Sequence, residues 1–172
     1  MNLSGRDFVP AATPQPACGM PSAEHATRIR RLLASLRRSR LDGAVVTSPV
    51  ARFYYTGVAS SAGALWIDVR EGPLFVVDFR YIFMARAALP FMPCHLQKSV
   101  TAADATILKR TRRWRRCGYE GREPASALKR HETQAPGVVE WEDIDPLILA
   151  QRAVKSAREQ RALRRAIAAN DA

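Results

Sequence analysis

The sequence predicts an α/β fold: a mixed sheet of five to six strands with helices on both faces, plus one further helix at the C-terminus. Three observations predict it. Apolar runs long enough for buried strands but too short for helices recur at Ala44–Val46, Ala64–Ile67 and Pro73–Val77. A helical segment with start and stop signals separates the first run from the second, and another helical segment follows the third. The second and third runs are joined by Arg70-Glu71-Gly72, which reads as a hairpin turn.

Taken in order, residues 1–21 carry prolines at 10, 14, 16 and 21 and little periodicity, and read as a flexible leader. Residues 22–40 form an amphipathic helix. Ser22 is its cap, Glu24 suits the positive end of the dipole, and Ile29, Leu32, Leu33 and Leu36 make the i, i+3, i+4, i+7 stripe. Arg28, Arg30, Arg31, Arg37 and Arg38 stand largely off that stripe, as a solvated face would. After the first strand, Ser48 as N-cap and Pro49 at the first helical position open a short helix, and Gly57 stops it. Asp78 closes the third run, and residues 81–88 are helical again.

Pro90 and Pro93 mark an irregular crossover into a short strand around 95–100. Cys94 and His95 look like a nucleophile pair, but neighbours on a strand point to opposite faces, so they do not activate one another. A helix over 101–116 opens with Thr101 and Asp104 and buries Ile107, Leu108, Thr111 and Trp114. Residues 117–120 form a strand, 124–131 a helix and 138–141 the last strand. Glu140, Glu142, Asp143 and Asp145 make an acidic cluster, with Asp145-Pro146 reading as cap and first turn of a helix over 146–154 rather than as metal ligands. Ser156 and Glu159 form a second capping box, whose helix carries Leu163, Ala166, Ile167 and Asn170 on one side.

At 172 residues, 47% hydrophobic and 25% charged, the chain has the composition of a globular protein with room for one well-buried domain. No stretch approaches the roughly 20 apolar residues that span a bilayer. The N-terminus lacks a signal-peptide pattern, so a cytoplasmic location is expected and no membrane partner. Cys18, Cys94 and Cys117 are distant and unpatterned, which argues against a disulfide framework or a zinc knuckle. The net charge of +11 admits an anionic partner, although basic residues are spread along every expected helix. The densest group is Lys109, Arg110, Arg112, Arg113, Arg115 and Arg116 around Trp114, a candidate nucleic-acid face on the expected 101–116 helix.

The segments VVTSPVARFYYTG, SAGALWI and VVDFRY, in this order, resemble the N-terminal domain of the creatinase/prolidase/aminopeptidase P family. GYEG and the later EWEDIDPLILAQRAVKSAREQRALRRAI resemble the end of that domain and its link to the catalytic one. The resemblance implies a domain over 22–154, with 155–172 as linker and first helix of a catalytic domain. It further implies that the parent enzymes are metal-dependent Xaa-Pro peptidases of a pita-bread fold. Two divalent ions such as manganese are held there by Asp, Asp, His, Glu and Glu, all expected beyond residue 172. His25, His95 and His131 do not stand in for the missing histidine. The chain alone is therefore expected to be inactive, a truncated or split product. Its roles would be domain packing, oligomerisation or pairing with a separate catalytic chain, and control of access for peptide substrate. Arg52, Tyr54, Tyr55, Ser60 and Ser61 are the residues expected nearest the cleft. The alternative is a stand-alone basic domain binding nucleic acid through the Lys109 to Arg116 helix.

Overall fold

A computed structural model of the chain describes residues 22–99 and 102–171. The expected leader over 1–21, Cys18 and the Thr101 cap lie outside the described residues, as does the side chain of Ser22. The elements are α1 (Ser22–Arg38), β1 (Gly43–Val46), α2 (Pro49–Thr56), β2 (Ala64–Asp68), β3 (Gly72–Val77) and α3 (Ile82–Ala88). They continue as β4 (Cys94–Leu96), α4 (Ala105–Thr111), β5 (Arg116–Tyr119), α5 (Ala125–Gln134), β6 (Glu140–Asp143), α6 (Asp145–Ala153) and α7 (Ala157–Asn170). The strands form one six-stranded sheet in the order β4-β3-β2-β1-β5-β6. β2 runs antiparallel to β1 and β3, and the other pairs are parallel.

The period-2 alternation of strand side chains divides the core between the two faces of this sheet. Ala44, Val46, Leu65, Ile67, Phe75 and Val77 pack with buried residues of α1, α2, α3 and α6. Val45, Trp66, Leu74 and Val76 pack on the other side with Ile107 of α4, Ala135 and Trp114. Strands buried on both faces explain why the sequence shows continuous apolar runs there instead of alternation.

Local signals hold where they were expected. Ser48 Oγ accepts the Ala51 amide at 3.2 Å, Pro49 opens α2, and Gly57 closes it at φ 70° with its N–H on the Phe53 carbonyl. Ser156 and Glu159 form the full reciprocal capping box of α7.

Several expectations are corrected. The helix expected over 101–116 spans only Ala105–Thr111, with Asp104 itself the N-cap, accepting from the Thr106 and Ile107 amides. Its early end comes from two distant carboxylates. Asp42 accepts the Arg115 and Arg116 amides at 2.8 and 3.1 Å, and Asp68 accepts Trp114 Nε1 at 2.6 Å. Those bonds turn 112–115 out of the helix and start β5 at Arg116. The last strand is shifted to Glu140–Asp143, because the Val138 amide closes a turn on the Ala135 carbonyl. The strand expected around 95–100 covers Cys94–Leu96. Asp145 is not a cap: its carboxylate accepts the Arg122 amide, and its own N–H donates to Asp143. Arg28 is not on a solvated face either. It is 4% exposed, lies 4.0 Å over the Tyr54 ring, and ion-pairs with Glu24 and Glu159 at 2.7 and 3.0 Å.

A Cβ added at Gly43 would lie 2.3 Å from Trp114 Cζ2 and 2.6 Å from the Ile67 carbonyl oxygen. Gly43→Ala should therefore cost about 3 kcal/mol, seen as a lower urea midpoint at unchanged slope; an unchanged midpoint would show that the strand and indole separate freely. His25 is 3% exposed, and its Nδ1–H donates to the Tyr54 carbonyl at 3.0 Å. Burial, with the nearby Arg28 charge, holds its pKa below the ordinary imidazole value. The neutral ring is thus favoured in the folded state. Its contribution to stability is complete above the unfolded pKa of about 6.5 and is lost as pH falls towards the lower folded value. Denaturation midpoints measured from pH 7.5 to 5 should fall in the native chain and fall less in His25→Gln.

Candidate functional site

β1 and β5 are parallel neighbours whose chains leave in opposite directions, β1 to α2 on one face and β5 to α5 on the other. Such a switch point leaves a crevice beyond the carboxyl ends of the strands. Here it is closed by Glu120, 4% exposed. Its Oε2 accepts the Thr47 and Ser48 amides at 2.6 and 2.7 Å, and its Oε1 accepts the Ser48 hydroxyl at 2.5 Å. The carboxylate thereby meets the positive end of the α2 dipole and anchors that helix to a strand more than 70 positions later.

From this anchor α2 presents two sides. On one, Arg52 is 2% exposed, and its guanidinium donates to the Gly63 and Ser60 carbonyls at 2.6 and 2.8 Å. It binds the loop 57–63 to the helix. Burial without a contacting carboxylate lowers the Arg52 pKa, against the more distant attraction of Glu120 and Glu123. The Ser61 amide and hydroxyl reach the Tyr81 hydroxyl at 3.2 and 2.8 Å, so the loop is also tied to the start of α3. Beside Arg52 lies a cavity of about 440 Å³, lined by Ser61, Gly63, Trp66, Gln97 and His131. His131 is 3.6 Å from Glu123, which burial alone would push up but which contact with His131 and Thr47 holds below the usual carboxylate value.

On the other side, Tyr54 and Tyr55 turn away from that cavity. The Tyr54 hydroxyl donates to the Gln151 carbonyl and the Tyr55 hydroxyl to Gln151 Oε1, each at 3.2 Å. Tyr55 is fully buried, and burial raises its pKa far above the phenol value. The candidate residues thus separate into two groups. Arg52, Ser60 and Ser61 share the loop, whereas Tyr54 and Tyr55 hold α2 to α6. The outer surface of α2 borders two adjoining open grooves of about 510 and 560 Å³, both lined by Val50 and Phe53. Leu149 and Lys155 extend the second groove, and α7 beyond it has no buried residue. Gln151 and Arg28, which tie α6 and α7 to this surface, carry no local sequence signal.

The six cations expected on one helix face are divided by the structure. Lys109 and Arg110 lie on α4, Arg112 and Arg113 follow it, Arg115 precedes β5 and Arg116 begins it. Arg110 donates to the Gly72 carbonyl and pairs with Glu71, and Arg116 pairs with Glu140 and Glu142 at 2.8 and 3.1 Å. Trp114, 1% exposed, is core and offers no stacking face. In the acidic cluster, Asp143 accepts the Gly121 and Asp145 amides and Asp145 the Arg122 amide. Among the described residues no three His, Cys, Asp or Glu side chains converge as metal ligands do. None of their helices is long and apolar enough to cross a membrane. Cys94 Sγ contacts the Met92 carbonyl, while His95 pairs with Asp104 at 2.8 Å, so the two do not meet.

Solved structures share this architecture. The aminopeptidase P of Streptococcus thermophilus is 18% identical with a TM-score of 0.64, over 74% of this chain and 98% of that one. The prolidase of Pyrococcus horikoshii is 17% identical with a TM-score of 0.68, over 78% of this chain and only 37% of that enzyme. The N-terminal domain of the cytoplasmic peptidase PepQ of Mycobacterium tuberculosis is 18% identical with a TM-score of 0.62, over 73% of this chain and 98% of that domain. At these identities the likeness is one of fold. No curated protein matches the sequence. The model of the creatinase/prolidase N-terminal domain matches residues 28–154, the whole sheet and the helices that cover it, and the chain belongs to that family.

Proposed function

We propose that this chain is the non-catalytic domain of an Xaa-Pro peptidase-like protein, packing against a catalytic domain, supporting the oligomer and narrowing access to the cleft. The observation that carries the reading is the apolar face running from α2 across α6 to α7. Val50, Leu149, Val154, Leu163 and Ile167 are all exposed there, at 38 to 72%. A patch of this kind on a folded domain marks a contact surface.

In this reading hydrolysis belongs to the catalytic domain and its two divalent ions, and the chain alone is inactive. The loop 57–63, with Ser60 and Ser61 and held from behind by the buried Arg52, forms the rim of the cleft. Tyr54 and Tyr55 fix the domain boundary by holding α6. The reading rests on the family and on this face together.

The test uses the full chain. With manganese it should hydrolyse no Xaa-Pro dipeptide, and it should bind a separately produced pita-bread domain of a prolidase in sedimentation experiments. Val50→Glu with Leu149→Glu should weaken that binding at least about tenfold, which is roughly 1.4 kcal/mol. Metal-dependent hydrolysis by the chain alone, or unchanged binding in the double variant, would contradict the proposal. A second expectation concerns α7. Removing residues 156–172 deletes the Arg28–Glu159 pair but leaves Arg28 bound to Glu24 and the Tyr54 carbonyl and removes no buried side chain of α7, so the unfolding free energy should change by only about 1–2 kcal/mol while solubility rises. Loss of cooperative unfolding on deletion would mean that α7 is integral to this domain.

A further inference from the structure

We infer that the end of the sheet opposite Glu120 is a phosphate-binding surface for double-stranded nucleic acid. Three separate segments converge there. The last turn of α1 and the loop after it bring Arg37, Arg38 and Arg40, the β2–β3 turn brings Arg70, and the α4–β5 loop brings Arg112, Arg113 and Arg115, all exposed. Hydrogen bonds place these segments side by side. Arg37 donates to the Val69 carbonyl at 2.6 Å, and Arg116 donates to the Ser39 and Arg40 carbonyls at 3.2 Å. Neighbouring strands lie about 4.8 Å apart, so a surface reaching from the β2–β3 turn to β5 is about 10–15 Å across. That matches the width of a duplex groove, about 12 Å, with phosphates on both rims.

The carboxylates at this end are already engaged elsewhere. Asp42 holds the Arg115 and Arg116 amides, and Asp68 holds the Arg70 and Glu71 amides and the Trp114 indole. Glu71 pairs with Arg110, and Glu140 and Glu142 pair with Arg116. None of the exposed arginines named above forms an ion pair among the described residues. The C-terminal ends of α1 and α4 add only about half a negative charge each. Asp42, Asp68 and Glu71 share a pocket with Arg70, Arg112 and Arg113 and offset part of their charge, but the arginines at this end outnumber the carboxylates, and an anion of high charge density offsets the excess.

The neighbouring side chains decide the kind of anion. Single-strand binding needs exposed aromatic faces, and the tryptophan at this end is buried. An exposed basic surface also attracts anionic lipid, but burial in the membrane interface needs apolar side chains as well. Val139 is the large apolar residue exposed here, whereas Phe79 and Phe83 stand at the far end of β3. What remains is recognition of a duplex backbone without base reading, to which arginine is well suited as a bidentate phosphate donor.

The test measures fluorescence anisotropy of a labelled 24-base-pair DNA duplex with the full chain. Binding should weaken steeply as salt rises. Arg112→Glu, Arg113→Glu and Arg115→Glu together should weaken it tenfold or more, and should lower the slope of log affinity against log salt by about 3. A charge-matched control on α7, Arg161→Glu with Arg164→Glu and Arg165→Glu, should change affinity less than about threefold. All six substitutions are at exposed positions, and an unchanged far-UV spectrum and melting midpoint verify folding. The inference is overturned by no binding at about 50 mM salt or by equal losses in both triple variants. Tighter binding of a single strand, of phosphatidylserine vesicles or of polyglutamate than of the duplex also overturns it.

Discussion

At the end of β5 the Glu120 carboxylate accepts two consecutive backbone amides and a hydroxyl from the start of α2, and much of the molecule depends on that contact. A buried carboxylate costs several kcal/mol unless its lone pairs are met, and here three donors and the positive end of a helix meet them. The contact joins the two halves of the sheet where their connections diverge. It also sets the direction of α2, and with it the positions of Arg52 and the two tyrosines.

Because α2 is held at its base, its two sides can serve different ends. Arg52 binds the loop 57–63 through two carbonyls, and Ser61 binds the same loop to Tyr81. The tyrosine pair grips Gln151 and so carries the orientation of α2 into α6. The apolar face of the proposed domain contact is thus built on a rigid support, and the loop proposed as the rim of the cleft is fixed to the same helix. The arginine-rich end lies at the other end of the strands, so a duplex bound there would not compete with a domain docked on α2, α6 and α7.

How much of this was legible in the sequence depends on how far each determinant reaches. The start and stop of α2, the hairpin and the capping box of α7 rest on residues within four or five positions of one another, and all were readable. The apolar runs gave the sheet, because strands covered on both faces must be apolar throughout. The end of α4 was not legible, since Asp42 and Asp68 lie dozens of residues away and local periodicity favours a longer helix. Helical periodicity puts Arg28 on a solvated face for the same reason: two of its partners, Tyr54 and Glu159, are remote in sequence. Glu120 carried no signal beyond closing a strand, although it is the hinge of the candidate site. Tyr54 and Tyr55 were seen as a pair, but only the fold shows that they point to α6 and not to the loop.

The most direct measurement of this account is hydrogen exchange, followed residue by residue, in the native chain and in Glu120→Gln. The amide replacement keeps the shape but removes the charge and one acceptor oxygen. The account predicts that amides of α2 and of the loop 57–63 lose protection together, while β2, β3 and the body of α1 keep theirs. If α2 and the loop exchange as slowly as in the native chain, Glu120 does not organise this surface and the arrangement built on it fails.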